Sequence, residues 1–118
     1  DGRTRVRNMD PGVHVVVNVG ADGDYTIPGH RPEVGEQQAE NAEQVRTALQ
    51  PEPGEGSRAW LDRAAAVISD HEFGVCIHGD GFGTRSSSLI HFGPEETSYD
   101  FAPGPPCETE FEQVEAWL

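Results

Sequence analysis

Residues 78–93, HGDGFGTRSSSLIHFG, decide which of two fold classes this chain belongs to. Gly79, Gly81 and Gly83 alternate and run into a short apolar segment. A dinucleotide-binding crossover needs G-x-G-x-x-G between a strand and a helix. The spacing here differs, and a strand-like run, residues 86–93, follows instead of a helix. No Lys follows the glycines, so this is not a phosphate-binding P-loop either. What remains is a tight turn feeding a strand. Its glycines permit positive φ or the close approach of another group.

Working outward, "FGVCIHGD" (73–80) before the turn and "TSYDFAPG" (97–104) after it read as further strands. Upstream, "RTRVRN" (3–8) alternates as a polar-faced strand. "MDPGVHVVVNVG" (9–20) places a Pro-Gly turn before a β-branched run, which predicts a buried strand of about seven residues. "GADGDY" (20–25) is turn chemistry. Between 36 and 49 the period changes: Ala39, Ala42, Val45, Ala48 and Leu49 recur three or four apart, opposite Glu40, Glu43 and Arg46, which predicts an amphipathic helix. "QPEPGEGS" ends it, with Ser57 as N-cap of a second helix through about Ser69. "ETEFEQVEAWL" reads as a helix or a tail. Strands flanking a helix pair predict α+β with a largely antiparallel sheet. At 118 residues the chain allows one domain, 1–118, or the C-terminal part of a larger one. A first residue of Asp, not Met, favours the second expectation.

Charge narrows the partners. There are 21 acidic residues against 8 basic ones, all Arg, for a formal net charge of −13. Phosphate-backbone binding needs clustered cations, so nucleic acid is excluded as a partner, and an anionic membrane surface is disfavoured. The acidity fits either an interaction surface or a salt-filled cytoplasm that screens self-repulsion. The lack of Lys points to the halophilic reading, although a high-GC genome also favours Arg over Lys. No apolar run reaches the length of a signal-peptide core or a membrane span. Cys76 and Cys107 make no disulfide framework and read as reduced thiols of a cytoplasmic protein. Cys76, His78 and Asp80 alternate near His71 and are metal-ligand types. With no second cluster visible, no metal site and no cofactor are expected. G-x-S-x-G does not occur, which disfavours Ser-His-Asp catalysis. His14 and His91, inside apolar runs, read most simply as core or edge histidines. Arg85, flanked by Thr84 and Ser86 at a strand entrance, suits a carboxylate or acyl carbonyl, or pairs with a nearby acidic side chain.

"GTRSSSLI" (83–90), coming after "DPGVHVVVNV" (10–19) and the two helices, resembles the C-terminal half of the Asn-Arg-Asp-Glu (NRDE) family, also called the transport and Golgi organisation 2 family. The likeness runs from about Arg3 to Phe101 and departs at Val17, where the family more often has Ser. The acidic, Lys-free composition is similar to that of a haloarchaeal member. The resemblance implies an N-terminal-nucleophile-hydrolase-like sandwich whose Cys nucleophile and name-giving motif lie in an upstream half of the same polypeptide. It implies catalytic support from Asn18, as an oxyanion donor, and Arg85, acting on the thiol or the acyl group. Gly83, Thr84 and Ser86 would form the surrounding binding wall, with His14 as a further binding residue. The implied parent is an acyl-amide hydrolase or acyltransferase taking a small acyl or hydrophobic ligand. This chain, without the nucleophile, would be inactive alone. The alternative is a non-catalytic haem or lipid carrier, in which His14, His78 or His91 would serve as axial ligands.

Overall fold

The computed structural model describes residues 4–115. Its centre is a helix pair. The first helix, α1, runs Pro32–Ala48 and the second, α2, Ser57–Ser69. The predicted start of α1 at 36 moves upstream because Pro32 occupies its first turn, where the fixed proline φ suits a helix and the missing N–H is not needed. Glu33 in the first turn and Arg46 in the last complement the helix dipole. Ser57 is not the N-cap of α2. It is the first helical residue, and Gly56 caps in extended backbone without a side-chain hydrogen bond. Val45 from α1 and Leu49, which caps its C-terminus, meet Ala64 and Val67 from α2 in one buried cluster. Val13, Val15, Trp60, Phe73 and Leu89 pack around it.

The α1–α2 connection is pinned by side chains that satisfy the open carbonyls at the end of α1. The Trp60 indole N–H donates to the Leu49 carbonyl (2.7 Å). Arg63 donates to the carbonyls of Ala48 and of Gln50 (2.9 Å), while its fork grips the Glu55 carboxylate (2.7 and 3.0 Å). That contact lowers the pKa of Glu55, chiefly through the guanidinium hydrogen bond.

One antiparallel meander precedes the helices: β1 (Val16–Val17), β2 (Gly20–Ala21) and β3 (Asp24–Tyr25). Asp22 and Gly23 both have positive φ (49° and 90°) at the β2–β3 turn, the conformation that tight hairpins require. The long buried strand expected over 13–19 is thus only two ladder residues. Val13, Val15, Val17 and Val19 are half-buried while His14, Val16 and Asn18 are exposed, because only one face meets the helices. Residues 4–8 of the expected N-terminal strand have no regular structure, and Arg3 lies outside the described residues.

A second sheet follows the helices: β4 (Ser87–Phe92), β5 (Thr97–Ala102) and β6 (Glu112–Gln113), in that order and antiparallel. Ser87 pairs with Ala102 and Phe92 with Thr97. The expected strand over 73–80 is replaced by a single 3₁₀ turn, His71–Phe73, and an isolated bridge between His78 and Gly83. The segment after β5 adds the short β6, not a helix, and 116–118 lie outside the described residues. Over the described residues the fold is therefore α+β with two helices and two small antiparallel sheets, where a single sheet was expected. Among the described residues no helix is long and apolar enough to cross a membrane.

Candidate functional site

Asn18 sits in the two-residue turn between β1 and β2, beyond the ladder and not at the end of a long strand. It lines a cleft of about 390 Å³ between the meander, α1 and the segment that follows α2. Val15, Val17, Val45, Val75 and Ile77 supply apolar wall, and Gln38 and Asn41 supply amides. None of the lining residues is an acid, a base or a thiol. The Oε1 of Gln38 is buried and has no hydrogen-bond partner among the described residues.

The glycine-rich stretch is a hairpin tip. The Gly79 N–H donates to the Phe82 carbonyl (2.8 Å), and Gly81, at φ 80°, turns the chain where an L side chain would be strained. At Gly83 a Cβ would stand 2.6 Å from the Ile77 carbonyl oxygen, so the two backbones approach this closely only with glycine there. Thr84 then locks the hairpin. Its N–H donates to the Ile77 carbonyl (2.8 Å), its hydroxyl accepts from the Ile77 N–H (2.9 Å) and it donates to the Val75 carbonyl (3.1 Å). Val75 and Ile77 also line the Asn18 cleft, so Thr84 ties the hairpin directly to that wall. Arg85 and Ser86 follow Thr84, both exposed. Among the described residues Arg85 forms no ion pair with a carboxylate.

His14 belongs to a different groove, one of about 700 Å³ that includes Leu49, Glu55 and Trp60. Both of its ring nitrogens face acceptors: Nδ1 the Asp22 carboxylate (2.7 Å) and Nε2 the Asp10 carbonyl (2.6 Å). Only the doubly protonated ring can donate to both. Accordingly the His14 pKa is raised, first by the Asp10 carbonyl and then by Asp22. The Asp22 pKa is lowered by His14 and by the Val15 N–H that it accepts (3.0 Å). Arg46 lies 4.0 Å from Asp22 and also grips Glu43, which accepts from the Tyr25 hydroxyl (2.5 Å). The network fastens the meander to α1.

A second constellation gathers on the far side of the 3₁₀ turn. His71, Cys76, His78 and Cys107 bring one donor atom each to within 4.8 Å of one another. His78 Nε2 lies 3.7 Å from Cys76 Sγ and 3.1 Å from Cys107 Sγ. The two imidazoles stand edge-on, with centroids 5.0 Å apart and planes at 76°. Cys76 is buried and the other three are exposed. Partial desolvation, and then the Cys76 thiol, push up the pKa of Cys107. The sequence alone suggests His71, Cys76 and His78 as ligand types, but Asp80 is not one of the four. Cys107 is the missing member, delivered by the Pro-Pro-Cys turn after β5. Cys-x-His with an isolated distant Cys was the one available sign.

Comparison with protein-family models, with curated proteins and with solved structures returns no match.

Proposed function

We propose that this chain is the C-terminal half of an NRDE-family protein, and that its Asn18 cleft is the acyl-binding wall of an N-terminal-nucleophile hydrolase or acyltransferase. The observation that carries this reading is a convergence. Asn18, from the first segment on which the resemblance rests, lines the same cleft as Ile77, and Ile77 is bonded in both directions to Thr84 of the second segment, next to Arg85.

Among the described residues the cleft holds no acid, base or thiol, which agrees with a nucleophile supplied by the upstream half. In such a site the α-amino group of an N-terminal Cys takes the thiol proton, and the thiolate attacks the acyl carbon. The side-chain amide of Asn18 donates to the resulting oxyanion, and Arg85 favours the thiolate or orients the acyl group. The leaving amine departs with the proton, and water then hydrolyses the thioester. The sandwich is supported by what this half leaves uncovered. Val16 is 69% and Ile90 50% exposed, the faces that a second sheet layer would bury.

The test is a panel of chromogenic acyl amides on the full-length protein. Asn18→Ala is expected to lower kcat/KM by about 10²–10³. Arg85→Ala should lower it as well, with the thiol's apparent pKa rising. Unchanged rates in both folded variants overturn the assignment.

The purely apolar and amide lining also favours a second reading, a hydrophobic ligand such as haem or lipid held without turnover. His14, with both nitrogens engaged, is a poor axial ligand, and neither His78 nor His91 lines the cleft. Haem titration of folded protein with no Soret shift removes the haem form of this reading.

A further inference from the structure

We infer that His71, Cys76, His78 and Cys107 form a closed zinc site that fastens the base of the β4–β5 hairpin to the end of α2. This inference is independent of the acyl-site reading. The four donors come from three places in the chain: the 3₁₀ turn, the segment before the hairpin tip and the turn after β5. Three of the four are exposed, so burial of apolar surface does not account for their gathering. A tetrahedral zinc with Zn–N of about 2.0–2.1 Å and Zn–S of about 2.3 Å needs donor separations of roughly 3.3–3.8 Å. The observed 3.1 and 3.7 Å, with no pair beyond 4.8 Å, lie within a few tenths of an ångström to an ångström of that geometry. The near-perpendicular rings let each imidazole aim a nitrogen at a shared centre without stacking. Two thiolates and two imidazoles select zinc over magnesium or calcium, which require oxygen ligands. With four protein ligands no position stays open for substrate, so the ion is structural. Cys76 and His78 precede β4 and Cys107 follows β5, so one ion ties the segment that leads through Gly83 to Ser86 into β4 to the segment that leaves β5.

The experiment is metal analysis of the chain purified under reducing conditions, followed by Co²⁺ titration of the stripped protein. The expected result is about one zinc per chain. Cobalt should give intense tetrahedral d–d bands and a thiolate-to-cobalt charge-transfer band, both lost when zinc is added. Cys107→Ser and His71→Ala should each weaken zinc binding by at least about tenfold, whereas Asp80→Asn leaves it unchanged. Zinc should raise the Tm of the parent chain but not of Cys107→Ser. His71→Ala, at an exposed position, decides the matter should the cysteine variant fail to fold. The inference is overturned by a weak octahedral cobalt spectrum, by substoichiometric zinc or iron in its place, by variants that bind like the parent, or by a Cys76–Cys107 disulfide in the reduced preparation.

Discussion

His14 illustrates how much the immediate surroundings of one side chain decide. In the sequence it is a histidine inside a valine run, open to a core, edge or ligand role. In the structure the Asp22–Gly23 turn folds a carboxylate back onto Nδ1, and the Asp10 carbonyl meets Nε2, which favours the imidazolium. The raised His14 value stabilises the fold fully below the unfolded value of 6.5, and this contribution is lost as pH rises through the folded value. The lowered Asp22 value acts in the opposite direction: its contribution is present above 3.8 and lost as pH falls through the folded value. The Tm deficit of His14→Gln should therefore be largest between about pH 4 and 6.5 and shrink as pH rises through the raised folded value. A deficit that does not vary with pH would show that folding leaves the His14 pKa unshifted.

The helices were the most legible elements because their signal is local. A stripe recurring every three or four residues marks the buried face of α1, and Leu61, Ala64 and Val67 mark that of α2. Their ends were less legible. Pro32 extends α1 by a turn, and the capping of its C-terminus comes from Trp60 and Arg63, several residues beyond the helix itself. Arg63→Ala should lower the Tm, and Arg63→Lys should fail to restore it, because an ammonium lacks the planar fork that reaches two carbonyls and Glu55 together. Thermal melts read both. Within the cluster, Leu49→Ala is expected to cost about 2–4 kcal/mol in denaturant unfolding, the loss of a buried leucine with partial collapse. Strands were less legible because a ladder needs a partner. The valine run of 13–19 has a strand's composition, yet only Val16 and Val17 find pairing across the tight turn to Gly20 and Ala21. Likewise 73–80 is strand-like, but the Thr84 contacts bend it into a hairpin stem with one bridge.

For the whole molecule, charge is the governing property. A net charge of −13 on 118 residues repels itself, and added salt screens that repulsion. Raising KCl from about 0.1 to 2 M should increase the Tm progressively, with the Debye length falling from about 10 Å to below 3 Å. A curve flat in salt would mean that the acidic groups are already spaced beyond mutual influence, and the halophilic reading would fall. The short His14–Asp22 and Arg63–Glu55 contacts, at 2.7 Å, should lose little over the same range because no ion fits between the partners.

Composition and periodicity alone determined the acidic character, the two helices and their buried faces, the α+β class and the turn at 79–83. Each of these follows from residues near one another in the chain. Only the tertiary structure decided which strands pair, that Ile77 lines a cleft with Asn18 while bonded to Thr84, and that Cys107 reaches His71, Cys76 and His78. The last depends on register. Pairing Ser87 with Ala102 lays the segment before β4 beside the segment after β5, and a contact between residues so far apart leaves no periodic trace in either stretch.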